Sequence, residues 1–111
     1  MTSLLSKLEK AYIENSYHNS THGADVAASL VYFVSNSSIL DALTSIESLA
    51  VILSALGHDV GHPGMNNRFL VFNRDRLAIK YNDQSILENM HIAKLYKLMG
   101  ETDSNVLQKI S

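Results

Sequence analysis

A chain of 111 residues with 46% hydrophobic and 18% charged side chains is globular in composition and the size of one domain or part of one. With no cysteine it has neither disulfides nor thiolate metal sites, so any metal must rest on His, Asp, Glu or water. Nine basic residues against eleven acidic ones leave a net charge of −2, which makes no electrostatic case for nucleic acid or an anionic membrane as partner.

The N-terminal Leu4, Leu5, Leu8 and Tyr12 recur at helical spacing, with Lys7, Glu9 and Lys10 between them, and predict an amphipathic helix. This segment lacks the apolar run and small-residue cleavage site of a signal peptide. A loop is expected at 15–20. From about His22 to Ser35 the apolar stripe Val26, Leu30, Phe33 and Val34 favours a second helix, although Val31–Val34 read alone also suits a strand. Asn36, Ser37 and Ser38 form a turn. Ile46–Leu56 is apolar almost all round and predicts a buried helix, too short to span a bilayer. The lone proline, Pro63, falls in the loop HDVGHPGMNN. A short helix is expected within Arg68–Lys80, and a longer one over Ser85–Met99, closed by Gly100. No segment reads convincingly as a strand, so the fold class is all-α and multi-helical. A mean hydropathy of +0.01 is high for so small a chain. Either a partner or a further part of the domain is expected to cover the apolar surface. An intracellular, cytoplasmic location is the expectation, with no membrane segment.

The candidate chemistry lies in three clusters. YHNSTHGADV carries His18, His22 and Asp25; HDVGHPGMNN carries His58, Asp59 and His62; YNDQSILENMH carries Asp83, Glu88 and His91. Imidazole suits zinc and related ions, and carboxylate suits magnesium or manganese and can bridge two ions. His22, His58 and Asp59 together would supply three donors to one metal, with the second oxygen of Asp59 free for another. His62, four residues beyond His58, can face the same pocket through water. Such a set serves a two-metal phosphohydrolase. A His-Asp dipeptide by itself also arises by chance. Ser85-Ile86-Leu87-Glu88 fits the S-x-x-E capping box, which by motif alone makes Glu88 a helix cap, and Asp83 fits a turn.

The motifs YHN-x-x-H-x-x-DV at Tyr17–Val26, HD-x-x-HPG-x-x-N at His58–Asn67 and YND-x-S-x-LEN-x-H at Tyr81–His91 resemble, in order and spacing, the catalytic domain of the class I 3′,5′-cyclic nucleotide phosphodiesterases. Each motif is moderately specific and the three together are highly so. The motif-bearing region is 17–99, and the whole of 1–111 is expected to be part of a larger helical catalytic domain of the HD type. The resemblance implies metal-dependent hydrolysis of cAMP, cGMP or both to 5′-monophosphates in signal transduction. It implies His18 as the general acid that protonates O3′, and His22, His58 and Asp59 as metal ligands. Asp59 would bridge two divalent ions, zinc and magnesium or manganese. His62 and Glu88 match residues that hold metal-bound water, and Tyr17 and Asn67 match pocket residues. His91 matches the second of a His pair whose first member is Met90 here, and Gly61 stands where many members have Asp. The family domain also carries a fourth ligand, an Asp, and purine-gripping glutamine and aromatic residues beyond this stretch, so further domain parts, further domains or a homo-oligomer are expected. Two alternatives stand beside this reading: a catalytically inactive helical module that binds metal or a partner, and a general HD-type phosphohydrolase.

Overall fold

Leu4 and Leu8, one turn apart on α1 (Thr2–Ala11), are buried against Leu53, Val60 and Met99, which makes the N-terminal helix part of the main core rather than an appendage. The computed structural model describes residues 2–109, all helix, turn and loop, with no strand among them. On the outer edge of α1, Lys7 donates to Glu101 at 2.5 Å and to Asp103, tying the helix to the segment after the last α-helix.

α2 (Ser20–Ser35) starts at Asn19, whose side-chain oxygen accepts from the His22 backbone N–H at 3.0 Å. The Val31–Val34 run is helical, as its longer context requires. A single turn, α3 (Ile39–Ala42), leads to α4 (Ser45–Gly57), which packs along α2. α4 opens on a capping box that the sequence analysis did not identify: Thr44 Oγ1 accepts from the Glu47 N–H at 3.3 Å, and Glu47 accepts from the Thr44 N–H at 2.8 Å.

Two expectations need correction. Although apolar almost all round, α4 is not a buried helix: Leu53 and Ala55 are buried, but Ile46 is 58% and Ile52 39% exposed, because α1, α2 and α7 (Ile86–Met99) cover one side of it only. Nor does Ser85 form a capping box with Glu88. Ser85 sits in the left-handed region at φ 40° with no side-chain cap bond. Its place is taken from 20 residues away by Asn67, whose side-chain oxygen accepts from the Leu87 N–H at 3.0 Å.

The stretch 68–80 holds two short helices rather than one, α5 (Asn67–Phe72) and α6 (Arg76–Lys80), capped by Asn66 and Asp75. They build a second small core of Leu70, Ala78, Ile86, Leu87 and Met90. Met90 therefore stands at a packing position, which accounts for an apolar residue there. α7 ends at Gly100, as expected, and a 3-10 turn follows at Leu107–Lys109. No helix among the described residues is long and apolar enough to cross a membrane.

Candidate metal centre

α4 ends where the chemistry begins. His58 follows its last residue, and Asp59 and Val60 turn the chain into a loop that reverses at Gly61 and Gly64, at φ 71° and 77°. Val60 is fully buried in the main core, so its neighbour Asp59 is anchored facing the other way. α2 brings His22 alongside, and α7 brings His91 beneath the loop.

The Asp59 carboxylate is the hub. Its Oδ2 stands 3.0 Å from His58 Nε2 and 3.4 Å from His22 Nε2; its Oδ1 stands 3.8 Å from His91 Nε2. Donors in a tetrahedral zinc site, about 2.0–2.1 Å from the ion, stand about 3.3–3.4 Å from one another. The two distances from Asp59 Oδ2 are close to that before any ion enters, and all three donors lie within 4.8 Å of one another. The tautomers agree. His58 Nδ1 lies 2.8 Å from the Ala55 carbonyl, which can only accept, so Nδ1 carries the proton and the Nε2 lone pair of the neutral ring faces the carboxylate. Two acceptors at that distance call for a cation between them, a proton or a metal ion.

Among the described residues two groups can hold a metal: His22, His58 and Asp59, and Asp59, His62 and His91, with Asp59 in both. The second group is weaker than its composition suggests. His62 Nδ1 accepts from the Gly64 N–H at 3.0 Å, so the proton of the neutral ring is on Nε2 and no lone pair is left for an ion. His62 is a donor, suited to holding a water or an anionic oxygen. Burial pushes its pKa down, and the neighbouring His18 adds to the effect. His91 is buried, with Nδ1 2.9 Å from the Val60 carbonyl, which leaves its Nε2 lone pair directed toward Asp59.

His18 stacks on His62 with ring centroids 3.8 Å apart and planes 7° apart. Tyr17, 61% exposed, lies edge-on to His18 at 4.9 Å and over His22 at 4.6 Å. Asn15 straps this segment to the ligand loop by donating to the carbonyls of His18 at 3.0 Å and His62 at 3.2 Å. All five histidines of the chain thus join in one row, His58–His22–His18–His62–His91, with successive centroids 3.8 to 6.0 Å apart. Asn67 donates to Glu88 at 3.0 Å while it caps α7, and that bond holds the Glu88 carboxyl below its usual pKa. Asp25 is exposed on α2 and Asp83 lies in a left-handed turn after α6; neither joins the two metal groups. A cleft of about 300 Å³ opens beside the centre, walled by Ser54, His58, Glu88, His91, Ile92 and Leu95.

Comparison with known proteins gives a consistent result. Residues 17–111 match the family described as 3′5′-cyclic nucleotide phosphodiesterase. The chain is 45% identical over 108 residues to 3′,5′-cyclic-AMP phosphodiesterase 4 of Dictyostelium discoideum, covering 96% of this chain and 10% of that protein. It is 38% identical over 111 residues to the probable 3′,5′-cyclic-AMP phosphodiesterase pde-4 of Caenorhabditis elegans, covering 100% of this chain and 16% of that one. The crystal structure of the phosphodiesterase domain of Salpingoeca rosetta rhodopsin phosphodiesterase superposes with a TM-score of 0.89 at 34% identity, over 94% of this chain and 31% of that one. The chain therefore spans a small part of the length of the relatives it matches.

Proposed function

Because the chain belongs to the 3′,5′-cyclic nucleotide phosphodiesterase family, we propose that it serves the hydrolysis of cAMP, cGMP or both to the 5′-monophosphate. In this reading His22, His58 and Asp59 hold a metal ion, zinc by the chemistry of the donors: two imidazoles and one carboxylate, with no thiolate. Oδ1 of Asp59, turned away from those imidazoles, suits a second and harder ion such as magnesium or manganese. When bound, such cations offset the charge of the phosphodiester and lower the pKa of a water molecule.

The chain's own residues supply the rest. His18, as imidazolium, gives its proton to O3′ as the bond from phosphorus to O3′ breaks and water adds to phosphorus. Burial and the neighbouring His18 push the pKa of its stacking partner His62 down, which disfavours a second positive charge beside it. The His62 Nε2–H and the Glu88 carboxylate, the latter oriented by Asn67, hold water at the mouth of the centre. Tyr17 lines the approach to the phosphate.

The observation that carries this reading is the convergence of His22 and His58 on one oxygen of Asp59. The test is cAMP and cGMP hydrolysis by the gene product containing this chain, with zinc and magnesium present. His18→Ala is expected to lower kcat by about 10²–10⁴-fold at unchanged metal content, the usual worth of a positioned acid. Asp59→Ala is expected to lose metal and activity together. Full activity in both variants refutes the reading. Hydrolysis of other phosphoesters with indifference to cyclic nucleotides points to a general HD-type phosphohydrolase instead, and metal binding without turnover to a helical binding module.

A further inference from the structure

Tyr12 stands just after α1, outside the three motifs, and touches both walls of the metal centre. Its hydroxyl donates to the carbonyl of Leu56 at 2.8 Å, in the last turn of α4 and two residues before His58. That carbonyl is one of the last four of its helix, which are left without intrahelical partners. On its other side the ring lies against the backbone of Gly23, next to His22 in α2. A Cβ on Gly23 would stand 2.6 Å from the Tyr12 hydroxyl oxygen, 2.9 Å from ring Cζ and 3.4 Å from the Leu56 carbonyl oxygen. Glycine is thus what lets the tip of the Tyr12 ring sit against α2, whereas the Leu56 carbonyl would be at ordinary contact distance from a Cβ. Burial raises the Tyr12 pKa.

We propose that Tyr12 is a positioning residue for the metal centre, fixing the separation of His22 from His58 and Asp59 by pinning the end of α4 against α2. The inference rests on those three side chains being metal ligands. Its physical content is preorganisation. His22 belongs to one helix and His58 to the end of another, and the 3.4 Å between His22 Nε2 and Asp59 Oδ2 is kept only as long as the two backbones keep their spacing. Tyr12 is the side chain wedged between them at that level, bonded to one and in van der Waals contact with the other. Tyr12→Phe keeps the ring and removes the bond, whereas Gly23→Ala pushes the tip of the Tyr12 ring out of its place between α2 and the end of α4.

The test measures zinc affinity of the gene product containing this chain by competition with a chromogenic chelator, at a temperature where circular dichroism shows each variant fully folded. Tyr12→Phe is expected to bind zinc about 5–10-fold more weakly, near the lower end of the effect of losing a group that supports a ligand. Gly23→Ala is expected to weaken zinc as well, and to do so less in the Tyr12→Phe background, where the oxygen it collides with is gone. A role confined to holding α1 on the fold predicts a lower melting temperature with the zinc affinity of the folded protein within twofold of wild type, and that result overturns the proposal. Tyr12→Ala also removes the ring, so Tyr12→Phe decides. His22→Ala separates the two failures. If the wild type takes up zinc and His22→Ala does not, an unaffected Tyr12→Phe sinks the positioning role alone. If the wild type takes up no zinc, the ligand assignment and the positioning role fall together.

Discussion

Removing the Asn67 side chain attacks the start of α7 and the Glu88 carboxylate at once. Asn67→Ala leaves the Leu87 N–H, near the start of α7 and in a buried residue, without its acceptor. Ser85 does not take over: its backbone is left-handed and its side chain makes no cap bond. Loss of a helix cap costs about 1 kcal/mol, within a range of about 0.5–2. The bond to Glu88 is exposed and adds a few tenths at most. For a domain of this size about 1 kcal/mol corresponds to a fall in Tm of about 5 °C. The effect has a pH signature. Glu88 is held below its ordinary pKa in the folded chain by Asn67, so it contributes stability above the ordinary carboxylate range and loses it as pH falls through the depressed value. The deficit of Asn67→Ala is therefore largest near neutral pH and shrinks below about pH 4. Ser85 supplies the opposing control. Relief of a left-handed L-residue, worth about 1–2 kcal/mol, exceeds the entropic cost of glycine, about 0.5–1 kcal/mol, so Ser85→Gly is expected to stabilise. Thermal and urea melts of the three proteins at pH 7 and about pH 3 decide the matter. If Ser85→Gly destabilises as much as Asn67→Ala, the S-x-x-E box is real and the cap assigned here is wrong.

Zinc at about 100 times its Kd should stabilise the chain by about 2.7 kcal/mol in a thermal melt, an effect reversed by chelator and absent in Asp59→Ala. His62→Ala should retain most of it, since the neutral His62 ring has no lone pair to offer; loss equal to that of Asp59→Ala would show His62 to be a ligand. Glu47 has its pKa lowered by the Thr44 amide and hydroxyl, so its contribution to stability is present above the ordinary carboxylate range and is lost as pH falls through the depressed value. Glu47→Gln should accordingly melt below wild type at pH 7 and close to it at pH 3. Leu4→Ala, at a position with no exposed surface, should cost about 2–5 kcal/mol in urea unfolding. Lys7→Met, which removes partly exposed ion pairs, should cost much less than Leu4→Ala; the reverse order would mean that charge rather than burial holds α1 in place.

The contrast between Asn67 and Ser85 shows where a sequence can be read and where it cannot. Helical periodicity is a local property, so α1, α2, α4 and α7 were each visible in their own residues, and His22, His58 and Asp59 suggested a metal site through donor chemistry, while the YHN and LEN segments spoke only through resemblance to a family. What periodicity does not contain is the identity of the covering neighbour. α4 reads as buried because its residues are apolar, yet exposure depends on what lies against it. Thr44 and Glu47 carry a capping box in plain view, but Ser45 ahead of Ile46 competes for the same role, and only the backbone conformation separates them. Ser85 and Glu88 have the right spacing for a box that an acceptor 20 residues upstream makes unnecessary. The metal centre divides the same way. That His22, His58 and Asp59 can serve as ligands follows from their chemistry, but the segments that bring them together are joined by bonds from Tyr12 and Asn15, whose carbonyl partners lie up to 47 residues away and give no local signal. His62 adds a further case: as a residue type it is a ligand, and a single backbone N–H from Gly64 makes it a donor. The legible part of the centre is thus its inventory of donors, and the illegible part is the set of hydrogen bonds that decides which lone pairs are free. In a metal site that second set carries the specificity, because an ion responds to available electron pairs at fixed spacing and not to residue names.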